Sequence, residues 1–156
     1  MKIIYIVDVS GSMLSGPKFS IIFDLLDCSL YYLRNSKAVN ESDNALETAI
    51  IYPSDNIYAN YFNVFETYPQ FEEISYTNYE KLNEFISENI KDSLFFFFTD
   101  MTENILKLKE SDNLYTVIVG NDNKSSAFNL CKNTITADCF INKFLTIYEK
   151  ETGESL

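Results

Sequence analysis

Apolar positions along the chain fall into continuous runs and spaced stripes, and their alternation predicts an α/β domain. Ile3 to Val7 is a continuous apolar run of the kind found in strands buried on both faces. Beyond a polar turn, Phe19, Ile22, Phe23, Leu26, Leu30 and Leu33 recur at helical spacing. Ile21, Leu25, Cys28 and Tyr32 widen that stripe, so a deeply packed helix is expected from Pro17-Lys18 to about Arg34-Asn35. Residues 35–45 are polar and read as a surface loop. Leu46–Tyr52 and Ile57–Phe65 read as a hairpin around Pro53-Ser54-Asp55-Asn56, at a sheet edge where Pro53 is tolerated.

Further along, Tyr79, Leu82, Phe85, Ile86 and Ile90 mark the buried face of an amphipathic helix. Ser93 to Thr99, with four consecutive phenylalanines, fits a central buried strand. A short helix is expected over about Thr102–Lys109, then a strand at Leu114–Val119 closed by Gly120-Asn121-Asp122-Asn123. A helix over about Ser125–Lys132, a weak strand near Cys139–Ile141 and a helix to about Lys150 complete the series.

This order predicts an α/β fold: a three-layer α-β-α, doubly wound, mostly parallel six-stranded sheet with one antiparallel edge strand. Residues 1–150 are expected to form a single domain and 151–156 a flexible C-terminal tail. In such sheets ligands collect at the carboxyl ends of strands beside the topological switch point. Asp8 ends the first strand and Asp100 ends the Phe-rich strand. If those strands are neighbours, both carboxylates project into one crevice.

The residues after Asp8 change what that crevice can do. Ser10, Gly11 and Ser12 supply a turn whose hydroxyls can face the Asp8 carboxylate, with Gly11 allowing the tight bend. Oxygen-only donors suit a hard cation such as Mg²⁺ far better than zinc. The plainer reading is a strand-to-helix turn, which such residues commonly form. Likewise Thr77-x-x-Glu80 has the form of a helix capping box, and Asp100-x-x-Glu103 is an acidic version of one. Asp24 and Asp27 lie within the first helix and read as surface charges.

Composition narrows the partners. A net charge of −11 disfavours nucleic-acid backbones and anionic membrane surfaces. The aromatic hairpin residues Tyr58, Tyr61, Phe62 and Phe65 lack interleaved basic residues and read as edge-strand packing rather than a base-stacking platform. Histidine is absent, which removes the usual general base and the commonest zinc ligand. Cys28, Cys131 and Cys139 are odd in number and not at Cys-x-x-Cys spacing, so buried free thiols in a reducing, cytoplasmic setting are expected. The apolar run before Asp8 is too short for a signal-peptide core, and no run is long enough to span a membrane.

Asp8-Val9-Ser10-Gly11-Ser12 resembles the Asp-x-Ser-x-Ser motif of von Willebrand factor A (vWA) domains, where it opens a metal-ion-dependent adhesion site. Thr77-Asn78 matches the family's Thr before the middle helix, and Thr99-Asp100 its apolar strand ending in Thr-Asp-Gly, with Met101 in place of glycine. The resemblance extends over nearly the whole chain. It implies that Ser10, Ser12 and Thr77 ligate a cation, Mg²⁺ or Mn²⁺, through hydroxyls, while Asp8 and Asp100 bind it directly or through water. It further implies an open coordination position for an Asp or Glu of a protein partner, and hence a non-enzymatic adaptor. Intracellular relatives often work beside AAA+ ATPases or kinase–phosphatase stress-response modules.

A catalytic alternative is a metal-dependent phosphohydrolase of haloacid-dehalogenase type, which also begins with an apolar strand ending in Asp. That chemistry uses Asp-x-Asp, and Ser10 stands where its second acid is needed. A scaffold that keeps the fold and ignores metal is a third possibility, which the set Asp8, Ser10, Ser12 and Asp100 argues against.

Overall fold

The computed structural model describes residues 1–40, 46–100, 107–120 and 133–156. Their backbone forms one six-stranded sheet. The strands are β1 (Lys2–Val7), β2 (Glu47–Ile51), β3 (Asn60–Phe62), β4 (Ser93–Thr99), β5 (Leu114–Ile118) and β6 (Thr134–Thr136). Their spatial order is β3-β2-β1-β4-β5-β6, and every pairing is parallel except β2 with β3. The expected α/β architecture, with one antiparallel edge strand, is therefore present. After β1 the chain builds outward on one side through β2 and β3, then returns to place β4 on the other. The switch point thus lies between β1 and β4, the two strands that end in the acids.

Helices α1 (Lys18–Leu33), α2 (Lys37–Asn40), α3 (Tyr79–Glu88) and α4 (Phe140–Thr152) accompany the sheet. Alternation along the buried strands sorts their side chains to two faces. Ile3, Tyr5, Val7, Phe96 and Phe98 pack with Ile22, Leu26 and Leu30 of α1 and with Phe140, Phe144 and Tyr148 of α4. Ile4, Ile6, Phe95 and Phe97 pack with Tyr79, Leu82 and Ile86 of α3. This division gives the three layers. Burying so many aromatic rings is a large apolar contribution, and truncating one fully buried phenylalanine costs about 3–5 kcal/mol. The buried Tyr5 hydroxyl is satisfied by Ser29 Oγ at 2.8 Å, which itself donates to Leu26 O. Burial holds the Tyr5 phenol well above its ordinary pKa.

Several boundaries differ from expectation. The second hairpin strand is only three residues long. Asn63 ends it by folding its side chain onto Phe65 N at 2.9 Å while its carbonyl accepts from Glu66 N. Tyr58, Tyr61 and Phe65 are exposed rather than packed at the edge, and only Phe62 lies against the core. The last strand is Thr134–Thr136, not Cys139–Ile141. Residues 137–139 form a 3-10 turn, and Phe140 opens α4 because Phe140, Phe144, Ile147 and Tyr148 share one buried helical face. Within the polar stretch after α1, residues 37–40 are helical, and buried Ser36 hydrogen-bonds the Tyr148 hydroxyl and Glu154 Oε2. Glu154 Oε1 also accepts from Lys37 N at 2.6 Å. Cys139 is exposed and Cys28 half-buried, so the expectation of buried thiols fails for Cys139.

The helix expected at Ser125–Lys132, most of the one expected at Thr102–Lys109, Cys131, and the residues after Gly120 in its turn lie outside the described residues. So do Met101 and the cap partner Glu103. Among the described residues, no helix is long and apolar enough to cross a membrane.

Candidate metal centre at the strand ends

Parallel pairing sets the site. Val7 registers with Phe98, and Asp8 N donates to Phe98 O at 2.9 Å, so Asp8 emerges beside Thr99 and one residue before Asp100. Both acids are buried, at 1% and 0% exposure. Charged groups are rarely buried so deeply without compensation, so their partners decide what the site is.

Asp8 is held by neutral donors. Ser10 N donates to Oδ1 at 2.8 Å, Thr99 Oγ1 donates to Oδ2 at 2.6 Å, and Thr77 Oγ1 makes a longer contact with Oδ1 at 3.5 Å. The loop then forms a 3-10 turn over Gly11–Leu14, closed by Met13 N on Ser10 O and anchored by the fully buried Met13. In that turn the Ser10 and Ser12 hydroxyls lie 3.2 Å apart. Gly11 does not provide the bend. A Cβ there would meet nothing within 4 Å, and the left-handed backbone falls instead at Gly16, with φ +70°.

Thr77 is not the helix cap. Asn78 takes that position, its Oδ1 accepting from Lys81 N at 3.1 Å, so the expected Thr77–Glu80 box gives way to a cap one residue later. The Thr77 hydroxyl is left to face Asp8. Its position is fixed from the β2–β3 connection: Asp55 accepts from Tyr76 Oη at 2.8 Å and from Asn78 Nδ2 at 3.0 Å, while its carbonyl accepts from Lys81 Nζ. Those hydrogen bonds from Asn78 and Tyr76, with the Lys81 charge, hold the Asp55 carboxyl below its ordinary value.

Asp100 is held differently. Its Oδ2 pairs with the ammonium of Lys18 at 3.1 Å, and Lys18 Nζ also donates to Ser12 O at 3.1 Å. Asp100 Oδ1 is buried and has no hydrogen-bond partner among the described residues. A continuous set of contacts thus joins Asp8, Ser10, Ser12, Thr77 and Asp100. A cavity of about 370 Å³ opens beside Asp8, Ser10 and Thr77, rimmed by Tyr76, Glu80 and Lys107, while Ser12 and Asp100 do not line it. Among the described residues no group of three or more His, Cys, Asp or Glu side chains is placed to hold a metal ion, so a cation at this point would have to draw on hydroxyls as well as carboxylates. The orphaned Asp100 oxygen and the paired serine hydroxyls fit a hard, oxygen-seeking cation.

Sequence reasoning missed three contributors. Lys18 carried a signal: it precedes Ile22 and Leu26 by one and two helical turns, a charge on an apolar stripe. The sequence marks Thr99 only as part of a motif and Asp55 only as a turn residue.

No protein-family profile matches the chain, and no curated protein sequence does. Solved structures do. Proximal thread matrix protein 1 from the mussel byssus superposes with a TM-score of 0.56 at 12% identity, covering 96% of this chain and 45% of its own. The same mussel protein with a zinc-occupied MIDAS motif gives 0.58 at 12% identity, covering 92% and 44%. The ArnB paralog VWA2 from Sulfolobus acidocaldarius gives 0.57 at 14% identity, covering 92% and 44%. This chain spans less than half the length of each. Its fold is vWA-like.

Proposed function

We propose that the chain is a vWA-type protein-binding module in which Asp8, Ser10, Ser12, Thr77 and Asp100 hold Mg²⁺ or Mn²⁺ and a partner protein docks an Asp or Glu there. The observation that supports this reading most is convergence: Asp8, Ser10, Ser12 and Thr77 are linked directly at the switch point, and Asp100 of the neighbouring strand joins them through Lys18. None of the three hydroxyls is committed to capping a helix. The zinc-occupied MIDAS of the similar mussel protein supports the idea that this architecture accepts a divalent cation.

When bound, the cation supplies a Lewis-acidic position open to an incoming carboxylate. The chain's own residues do the rest. Asp8 is oriented by Ser10 N and Thr99, and the serine hydroxyls offer neutral donors that do not cancel the cation's charge. The overall charge of −11 repels an acidic partner at long range, yet screening confines that repulsion to about 8 Å at physiological salt. Contact is then decided locally. We read the module as a cytoplasmic adaptor or regulatory subunit, of the kind that serves an AAA+ ATPase or a kinase–phosphatase system. No observation favours the phosphohydrolase alternative; Ser10, in the place of its second acid, faces the Ser12 hydroxyl.

The test has two stages. Calorimetric titration with Mg²⁺, Mn²⁺ and Zn²⁺ is expected to show one saturable site that Ser10→Ala weakens. Affinity capture in Mg²⁺ and in EDTA is then expected to yield a partner that requires both metal and Ser10. Absence of cation binding, or a partner indifferent to EDTA, overturns the reading.

A further inference from the structure

The ammonium of Lys18 lies within the candidate centre, between Asp100 and the Ser12 carbonyl, and its placement is built rather than incidental. Its side chain is 7% exposed. It occupies the first position of α1 on the stripe that buries Ile22 and Leu26, so the helix itself delivers it inward. The nitrogen bridges two parts of the centre, Asp100 Oδ2 and the Ser12 carbonyl, at 3.1 Å each. The aliphatic stem runs against Gly120, two residues beyond β5. A Cβ at Gly120 would come within 3.0 Å of Lys18 Cε, and the φ of +86° there is left-handed as well. Glycine at 120 therefore keeps open the groove that the lysine fills.

We propose that Lys18 is a specificity-determining residue of this centre: its ammonium neutralises Asp100 in place, weakening the affinity for metal and strengthening the metal-loaded site's affinity for a carboxylate. The inference rests on the cation-binding reading above. Among the described residues, Asp8, Asp100 and Lys18 together carry a single negative charge, which a divalent cation beside them converts into a single net positive one. Without the ammonium the loaded centre is neutral. A like charge beside the cation opposes its entry, and the same charge then favours an anion, because buried charges are poorly screened. Asp100 accommodates both roles, with Oδ2 on Lys18 and Oδ1 buried and unpartnered among the described residues. The sites of metal selection and partner selection are thus coupled through one side chain.

The experiment compares the wild type with Lys18→Met, which keeps the stem and removes the charge, and Lys18→Gln, which keeps a hydrogen-bond donor without charge. Mn²⁺ affinity is read by calorimetry, and acetate binding to the Mg²⁺-loaded proteins by amide chemical-shift titration. Both variants are expected to bind Mn²⁺ at least about tenfold more tightly and acetate at least about threefold more weakly. If Met at this position prevents folding, the Gln variant alone decides. Wild-type Mn²⁺ binding that either folded variant matches or falls below overturns the role of Lys18 and leaves the cation site standing. Tighter Mn²⁺ binding with unchanged acetate affinity overturns the partner-selecting half. No Mn²⁺ binding by any of the three proteins removes the cation reading itself.

Discussion

Asp8 and Asp100 leave adjacent parallel strands at nearly the same level and are equally buried, yet opposite means hold them. Asp8 is surrounded by an amide and two hydroxyls, all neutral donors, which fix its orientation and leave its charge intact. Asp100 meets an ammonium on one oxygen and, among the described residues, nothing on the other. The first arrangement fixes a carboxylate without setting an opposite charge against it. The second cancels charge and keeps one oxygen in reserve. A site built from two acids need not treat them as a symmetrical pair.

The most severe way to break this contrast is to remove the cation from Asp100. In EDTA, Lys18→Met is expected to lose about 3–5 kcal/mol in urea unfolding, because a buried carboxylate is left unpaired. Mg²⁺ is expected to restore part of that loss by binding only the folded state. Asp8→Asn sharpens the contrast from the other side: it keeps an acceptor and removes the charge, and the calorimetric heat of Mn²⁺ binding is expected to vanish. Thr99→Val strips one donor from Asp8 and is expected to cost about 1.5–3 kcal/mol in thermal unfolding, the usual range for a hydrogen bond to a charged group.

The smallest effect is expected at Asp55, which is exposed and steers Thr77 from outside. Its folded pKa is lower than its ordinary value of 3.8. Its contribution is therefore fully present above that value and is lost as pH falls through the lower, folded one. An acid titration of the Thr77 amide shift is expected to show this step in the wild type and not in Asp55→Asn. Solvent screening keeps the associated change in stability slight.

Much of this centre was legible in the chain because apolar runs ended abruptly in acids. Ile3–Val7 stops at Asp8 and the phenylalanine run stops at Thr99-Asp100, so strand ends and carboxylates announced each other. What stayed hidden depended on backbone direction or distant contacts. Thr77 and Asn78 are both able to cap a helix, and only the place where the backbone turns selects Asn78. The Asp55–Asn78 contact crosses 23 residues of sequence, so no local pattern marks it. The three residues of the sixth strand show too little alternation to mark it, while Cys139-Phe140-Ile141 has β-like composition but leads from a 3-10 turn into a helix set by the spacing of Phe140, Phe144 and Tyr148. Lys18 shares the stripe of Ile22 and Leu26, yet a lysine at a helix start ordinarily faces water, so its burial is not evident from its type.

The division of labour between Thr77 and Asn78 makes this loop a convenient handle for directed variation. Because the amide side chain starts the helix, the neighbouring position is available for exchange among Thr, Ser and Asp without disturbing the helix that follows. If the proposed cation site holds, a small library at that position alone is expected to shift its donor set from three hydroxyls toward a third carboxylate. Cation preference would then be an adjustable trait, separable from the architecture that displays it.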